Sequence, residues 1–274
     1  MSTTTKNNST DKFSLNQNGG WLRADRQFNM PVNLFIDNFS KPHLPGINIA
    51  LLCEPERIGK SKDFFISNKH QYHVILTYNQ DVLNSCENAE LFEFGSSWIN
   101  DLELTKNKKF EVSFLVGGKR GLDGYDLRHR VWAQQDDVKI PKNFFNSSHM
   151  PYGTNTNCKI LHGSKEPLFT SQYHICIENC KERNWFTEKL VDCLYTKTIP
   201  IYWGCPNIED WFDTGSILIV NDYSELLSCV NNLSEDFYDN HINSINKNFE
   251  LCKKFVSFHE RVCDKIEEIV LRYS

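Results

Sequence analysis

The chain has 274 residues, 40% of them hydrophobic, and a formal net charge of −5. This length suits one large domain or two of modest size. The negative charge argues against nucleic acid as the main partner, although a local basic patch still suits a small anion.

The first 20 residues are rich in Ser, Thr, Asn, Lys and Gly, with Phe13 and Leu15 as the large apolar side chains. Such a composition buries too little apolar surface to fold, so we predict a disordered leader at residues 1–20. No apolar run reaches the roughly 18 residues of a membrane span, and the N-terminus has neither the basic start nor the apolar core of a secretory signal. We expect a soluble, cytoplasmic protein with no membrane span.

Two short apolar runs in the first half end in polar or turn residues: residues 47–58 (INIALLCEPERI) and 72–79 (YHVILTYN). They are typical of buried strands whose ends face a cleft. A strongly charged segment, 101–109, separates them from the next strand-like run. We therefore predict an N-terminal domain at residues 21–105 and a C-terminal domain at residues 106–274.

From residue 109 onward, strand-like and helix-like segments alternate, beginning with KFEVSFLVGGKRG and ending in apolar residues at helical spacing over 235–274. This alternation predicts a doubly wound α/β domain with a mostly parallel sheet, closed by C-terminal helices.

The segment 175–207 (ICIENCKERNWFTEKLVDCLYTKTIPIYWGCPN) predicts a strand, a polar loop, a helix and a second strand. Thr187 is a good helix N-cap, which places Glu188 and Lys189 in the first turn. A lysine at the positive end of a helix is unfavourable unless an anion lies beside it. Glu178 and Asn179 end the preceding strand, so the segment predicts a cluster of polar groups around an anion site.

A basic loop rich in glycine follows the strand at 109–116 and contains Lys119 and Arg120. It matches neither the G-x-G-x-x-G fingerprint nor the Walker pattern. Backbone N–H groups and an arginine that binds two oxygens at once nevertheless suit a diphosphate. The alternative is a solvated basic turn.

Glu54 follows a predicted buried strand in the first half, with Glu56 next but one. A carboxylate at that position is a candidate general base across a cleft, and the alternative is an exposed loop acid. The sequence contains no C-x-x-C pair, no closely spaced histidine cluster and no D-x-D on a strand end. We therefore expect no metal site.

The stretch YHICIENCKERNWFTEKLVDCLYTKTIPIYWGCPNIEDWF resembles the donor-binding signature of the α1,3/4-fucosyltransferases, glycosyltransferase family ten. The shared features are a strand ending Glu-Asn, a short loop, Thr-Glu-Lys, a helix and Pro-Ile-Tyr-Trp-Gly. The resemblance implies a GT-B fold, with two Rossmann-like domains facing a central cleft. The N-terminal domain would then lie on the acceptor side, and the C-terminal domain would bind the nucleotide-sugar donor. It also implies an inverting, metal-independent transfer of fucose from GDP-fucose, without a cofactor, onto a glycan or glycoprotein acceptor.

The resemblance also implies roles in donor binding. Glu188 corresponds to the carboxylate on the ribose or sugar hydroxyls, Lys189 to the lysine on the diphosphate, and Asn179 to a polar group near the donor. Trp185 stands where many members carry Tyr.

Weaker matches outside the signature extend these roles. Arg120, beside Lys119, corresponds to a phosphate-binding arginine, and Glu54 in Cys-Glu-Pro is the best match to the general base. Because the first half matches little, a related transferase that uses a UDP-sugar such as UDP-xylose remains an alternative. A non-catalytic glycan- or nucleotide-binding module is a second alternative.

Overall fold

A computed structural model describes residues 12–18, 22–23, 26–153 and 158–274. The chain divides into two compact units, one formed by residues 1–92 with 259–274 and the other by residues 93–258. Each unit contains a sheet whose described strands are parallel. The predicted α/β class with parallel sheets and C-terminal helices is confirmed.

In the first unit, the described strands of the main sheet have the order β2-β4-β5-β6-β7, and a separate antiparallel pair joins β1 to β3. Their bounds are β1 Phe13–Ser14, β2 Asn16–Asn18, β3 Gln27–Phe28, β4 Val32–Ile36, β5 Ile47–Leu51, β6 Val74–Thr77 and β7 Ala89–Leu91. The intervening helices are α1 Glu56–Gly59, α2 Lys62–Ser67 and α3 Gln80–Ser85.

The N-terminal segment corrects one prediction. Residues 12–18 were predicted to be disordered, but they form β1 and β2, and β2 pairs with β4 in parallel register. Asn16 Nδ2 donates to Asn33 Oδ1 at 2.8 Å, so side-chain hydrogen bonds compensate for the few apolar groups of this segment. The rest of the predicted leader, residues 1–11 and 19–20, lies outside the described residues.

In the second unit, the described strands have the order β10-β9-β8-β11-β12-β13. Their bounds are β8 Lys109–Val116, β9 Lys142–Ser147, β10 Lys159–Leu161, β11 Ser171–Ile177, β12 Ile199–Trp203 and β13 Leu218–Ile219. The helices are α4 Asp123–Ala133, α5 Glu188–Tyr195, α6 Tyr223–Asn231, α7 Glu235–Asn240 and α8 Ile242–Cys252, and the chain ends in α9 Phe258–Tyr273.

Short 3₁₀ turns complete the two units. They lie at Lys69–Gln71, Leu102–Thr105, Gln135–Asp137, Glu166–Leu168, Ile208–Asp210, Thr214–Ser216 and Lys253–Phe255.

The second sheet is buried on both faces because its strands are apolar on both sides. Ile175 and Ile201 pack with α4 and α6 on one face, whereas Cys176 and Tyr202 pack with α5 on the other. Alternating residues of one strand point to opposite faces, which explains why β11 and β12 contribute to both clusters.

The boundary between the units also differs from the predicted one. It falls between Phe92 and Glu93, earlier than residue 105, and α9 returns to the first unit. Arg272 and Lys265 of α9 form salt bridges with Glu90 beside β7. Ser97 donates to Asp192 at 2.8 Å, which holds the start of the second unit to α5. The charged residues of 101–109 therefore do not mark the boundary between the two units.

Candidate functional site

A cavity of about 320 Å³ lies in the second unit, where β8 and β11 end. The carboxyl ends of parallel strands are the usual ligand-binding edge of such a sheet. The polar and charged side chains on its wall include Lys119, Arg128, Lys165, Asn179, Glu188 and Lys189.

The N-terminus of α5 is fixed to the end of β11 by a buried carboxylate. Glu178 accepts hydrogen bonds from the backbone N–H and the hydroxyl of Thr187, both at 2.8 Å. Thr187 in turn accepts from the backbone N–H of Lys189 at 3.3 Å, as the predicted N-cap. Burial raises the pKa of Glu178 above its ordinary value. The strand end and the helix start are thus held in one arrangement.

Glu188 is a buried carboxylate between two lysines. Its Oε1 lies 3.2 Å from Lys189 Nζ and 3.3 Å from Lys165 Nζ. Burial alone would raise the pKa of Glu188, but the attraction of Lys189 and Lys165 outweighs it and holds the pKa well below its usual range. Glu188 is therefore ionised at neutral pH.

Lys165 balances the negative charge from the opposite side. Its Nζ also contacts Asp192 Oδ2 at 3.1 Å and lies 4.2 Å from the centroid of the Trp98 ring. Burial lowers the pKa of Lys165, but Asp192 and Glu188 outweigh it and raise the pKa overall. Lys165 stays protonated. No sequence motif identified it, because it lies in the loop before β11.

Arg128 of α4 brings a second cation to the end of β11. Its guanidinium donates to Asn179 Oδ1 at 2.6 Å and to the carbonyl of Gly124 at 3.2 Å. Burial lowers its pKa, yet a guanidinium remains charged in proteins. No sequence motif identified Arg128, because its partner Asn179 lies 51 residues further along the chain.

The approach of α4 to β11 requires glycine at position 124. Gly124 N–H donates to the carbonyl of Asn179 at 3.1 Å, and a Cβ there would lie 1.9 Å from the carbonyl oxygen of Glu178. A side chain would push the helix away from the strand end. Gly124 therefore sets the distance between Arg128 and Asn179.

His174 of β11 lines the same cavity, with Nδ1 at 2.8 Å from Ser113 Oγ. Burial and the charge of Lys165 lower the pKa of His174 to about 3. The imidazole is therefore neutral at physiological pH and adds no positive charge.

Four residues of the predicted donor site lie on this cavity: Lys119, Asn179, Glu188 and Lys189. Two others do not line it. Arg120 is exposed and its guanidinium lies 5.6 Å from the centroid of the Tyr152 ring, and Trp185 is buried in the loop before α5.

Glu54 belongs to the first unit, after β5, where its side chain is exposed. Its backbone N–H and that of Cys53 donate to the carboxylate of Asp37, at 3.2 and 2.8 Å. Asp37 has a left-handed backbone, with φ of 44°, and burial raises its pKa to about 6. By contrast, Glu56 accepts from the N–H groups of Ser61 and Lys62.

Among residues 12–18, 22–23, 26–153 and 158–274, no group of three or more His, Cys, Asp or Glu side chains is arranged to hold a metal ion. In the same ranges, no helix has the length and apolarity needed to cross a membrane.

Residues 148–269 match the family model described as "Glycosyltransferase family 10 (fucosyltransferase) C-term". This segment is similar to the C-terminal part of glycosyltransferase family ten. The matched range contains the end of β11, the α5 N-terminus, Lys165 and Asp192, and it confirms the resemblance seen in the sequence. Arg128 and Lys119 lie before it.

The chain is also similar to the alpha-(1,3)-fucosyltransferase FucT of Helicobacter pylori, with 40% identity over 57 residues. That alignment covers 20% of this chain and 12% of the Helicobacter protein.

Two solved structures are similar in fold. A crystal structure of an alpha1,3-fucosyltransferase has a TM-score of 0.51 at 13% identity, over 87% of this chain and 76% of the other. A second, named as an alpha1,3-fucosyltransferase with GDP-fucose, has a TM-score of 0.48 at 12% identity, over 87% and 77%. The first supports the assignment of the α/β fold.

Proposed function

We propose that this chain is a glycosyltransferase that transfers fucose from GDP-fucose to a hydroxyl of a glycan acceptor. The observation that carries the proposal is the grouping of Lys189, Arg128 and the α5 N-terminus around one cavity that also holds the ionised Glu188. The family description and the name of the Helicobacter relative support fucose as the sugar.

The positive groups suit the diphosphate of a nucleotide sugar. Two negative phosphates must be held in the ground state, and a further negative charge develops on the leaving diphosphate in the transition state. Lys189, Arg128 and the N–H groups at the α5 N-terminus supply the compensating charge that a metal ion supplies in other transferases. We therefore propose a metal-independent reaction, with Lys119 of the glycine-rich loop as a further phosphate contact.

The carboxylate of Glu188 suits the hydroxyl groups of a nucleotide-sugar donor. Glu188 is held ionised by two lysines, so it can accept hydrogen bonds from the ribose or the sugar of the donor. Asn179, oriented by Arg128, offers an amide to the same donor. Trp185 contributes to the donor site indirectly, because its buried side chain packs the loop that precedes α5.

An inverting transfer requires one displacement at the anomeric carbon. The acceptor oxygen forms its bond to that carbon as the bond to the diphosphate oxygen breaks, and the acceptor proton passes to a general base. We assign the base to Glu54, an exposed carboxylate three residues after the end of β5. Its backbone N–H donates to the carboxylate of Asp37, which fixes the turn. The products are the fucosylated glycan and GDP.

Thermal unfolding with GDP, UDP, GDP-fucose and UDP-xylose tests the donor assignment, because a ligand that binds only the native state raises the melting temperature. We expect a larger shift with GDP than with UDP, unchanged by a chelator. A larger shift with the UDP compounds would refute the fucose assignment, and loss of the shift with chelator would refute metal independence. Binding without release of GDP in the presence of glycan acceptors would instead indicate a non-catalytic module.

A further inference from the structure

A second cavity, of about 330 Å³, lies at the other edge of the sheet in the second unit. Lys108 precedes β8 and Thr198 precedes β12, so this second cavity is at the amino ends of these strands. The first cavity, proposed above to bind the donor and called the donor cavity below, is at the carboxyl ends of the strands. A strand of the length of β8 spans about 26 Å at 3.3 Å per residue. The two cavities are therefore separate sites.

Lys108 lines this second cavity, and its side-chain amine donates hydrogen bonds to two acceptors. Its Nζ donates to the carbonyl of Phe169 and to the hydroxyl of Thr198. The Thr198 hydroxyl itself donates to the carbonyl of Ser171 at 3.1 Å, so it must accept from the lysine. Two acceptors satisfy the two N–H groups of a neutral amine, whereas an ammonium would have a third N–H.

The surroundings of Lys108 favour the neutral form. Among the described residues, no carboxylate forms an ion pair with its Nζ, and both acceptors are uncharged. Burial lowers the pKa of Lys108 to about 7. The titratable and charged groups that face it are Lys106, Lys197, Tyr195, Tyr238 and the thiol of Cys193. Lys106 is ion-paired with Glu103, which leaves Lys197 as the cation without a carboxylate partner among these described residues. A neutral amine retains a lone pair and is a nucleophile.

The remaining wall of the cavity suits a small ligand with an anionic group. Lys197 Nζ donates to the amide oxygen of Asn246 at 2.8 Å and lies 4.8 Å from the centroid of the Phe249 ring. The Phe249 and Tyr195 rings stack, with centroids 5.8 Å apart and planes 8° apart. The cavity thus combines a nucleophilic amine, a cation without a carboxylate partner among the described residues, and a flat aromatic wall.

We propose that this cavity is a second ligand site at which Lys108 forms an imine with a small phosphorylated aldehyde, while Lys197 holds the phosphate. The amine nitrogen attacks the carbonyl carbon to give a carbinolamine, which loses water to leave a C=N bond to Nζ. One aldehyde and one amine are consumed, one imine and one water are formed, and no oxidant or reductant takes part.

The test is site-resolved labelling with pyridoxal 5′-phosphate at about neutral pH, followed by borohydride reduction and peptide mapping. The neighbouring Lys109 is exposed and provides the internal comparison in the same protein. We expect Lys108 to be labelled at least tenfold faster than Lys109, with a rate whose pH midpoint lies near 7. Saturating GDP should not reduce labelling at Lys108, because the donor cavity lies at the other sheet edge. Equal labelling of Lys108 and Lys109 would overturn the proposal.

Two further labelling experiments test whether the cavity binds the phosphate group. Labelling of Lys108 by pyridoxal, which lacks the phosphate, should be at least fivefold slower than labelling by pyridoxal 5′-phosphate. Lys197→Gln should remove most of the difference in labelling rate between the two reagents. Lys181 is an exposed lysine elsewhere in the unit, and Lys181→Gln should leave that difference unchanged. Glyceraldehyde 3-phosphate should compete in the same way as a non-aromatic phosphorylated aldehyde. Equal rates with and without phosphate would overturn the assignment of the anionic group.

Discussion

The guanidinium of Arg128 donates a hydrogen bond to Oδ1 of Asn179, 2.6 Å away. These residues lie 51 positions apart in the chain, on α4 and after β11, and the contact brings a cation to the cavity that holds Lys189 and Glu188. Arg128 is thereby oriented before any ligand binds. Such preorganisation lets a charged group act on a ligand without the cost of ordering its side chain.

The first prediction concerns Arg128. Arg128→Gln should weaken GDP binding by about 2 to 5 kcal/mol, as expected when one partner of a desolvated charge pair is removed. Isothermal titration calorimetry measures the effect. Arg130→Gln is the matched control, because Arg130 is on the same helix but exposed and 4.4 Å from the centroid of the Tyr223 ring. Equal affinities for both variants and the wild type would place the diphosphate elsewhere.

Lys189→Ala should also weaken GDP binding, by about 2 to 5 kcal/mol. The variant should still fold, because the side chain is partly exposed and outside the apolar core. Loss of this cation removes one of the two attractions that depress the pKa of Glu188. Lys181→Ala, an exposed lysine in the same loop region, is the control and should bind GDP normally. Unchanged GDP affinity in folded Lys189→Ala would contradict the assigned donor site.

Gly124→Ala should destabilise the second unit and weaken GDP binding together. The added Cβ would meet the carbonyl oxygen of Glu178 at 1.9 Å, so α4 must move and Arg128 must move with it. We expect a loss of about 1 to 3 kcal/mol in unfolding free energy, the usual cost of overpacking. Gly59→Ala is the control, since its Cβ would meet its neighbours at 3.7 Å. A Gly124→Ala variant with wild-type stability would show that α4 is not held against β11.

Asp37 should make the first unit less stable as pH rises. Its pKa in the folded chain, about 6, exceeds the ordinary 3.8, so the native state binds the proton more tightly than the unfolded state. The contribution of Asp37 to stability is therefore greatest below about pH 4 and falls by about 3 kcal/mol as pH rises through 6. Asp37→Asn keeps an acceptor for the Cys53 and Glu54 N–H groups and tolerates the left-handed backbone.

The test of this pH dependence is urea unfolding of wild type and Asp37→Asn at about pH 4.5, 6 and 8. The variant should gain stability over wild type as pH rises. A difference that stays constant with pH would refute the linkage.

Glu54→Gln should reduce sugar transfer about a hundredfold or more, while GDP affinity changes little, because glutamine keeps the shape and removes the basicity. Steady-state transfer rates and calorimetry separate the two effects. Glu87→Gln, an exposed carboxylate of the same unit, is the control. If Glu54→Gln retains a near wild-type transfer rate, the base is another carboxylate of the first unit.

The sequence alone determined the local order β11, loop, α5 and β12. The apolar runs, the N-cap Thr187 and the first-turn Glu188 and Lys189 are all signals within a few residues of one another. Local hydrogen bonds and burial of apolar stripes form such a unit, so the pattern predicts it. The same reasoning correctly indicated β8 and the closing helices.

Strands whose interior carries asparagine escaped that reasoning. β4 reads VNLFI and β9 reads KNFFNS, and asparagine is disfavoured in strands. In the folded chain Asn33 is satisfied by Asn16 and Asn48, and Asn146 by the backbone of Tyr152. These partners come from other strands and loops, so only the tertiary structure reveals that the two segments are buried strands.

Long-range charge pairing likewise decided the composition of the site. Lys165 and Arg128 carry no motif, and their roles follow from Glu188 at 3.3 Å and Asn179 at 2.6 Å, residues far along the chain. Conversely, Arg120 has the expected basic context but lies over Tyr152. A sequence pattern indicates how one segment buries its own apolar face. Which distant charged residues come into contact depends on how the helices and strands pack. That packing is a property of the whole fold.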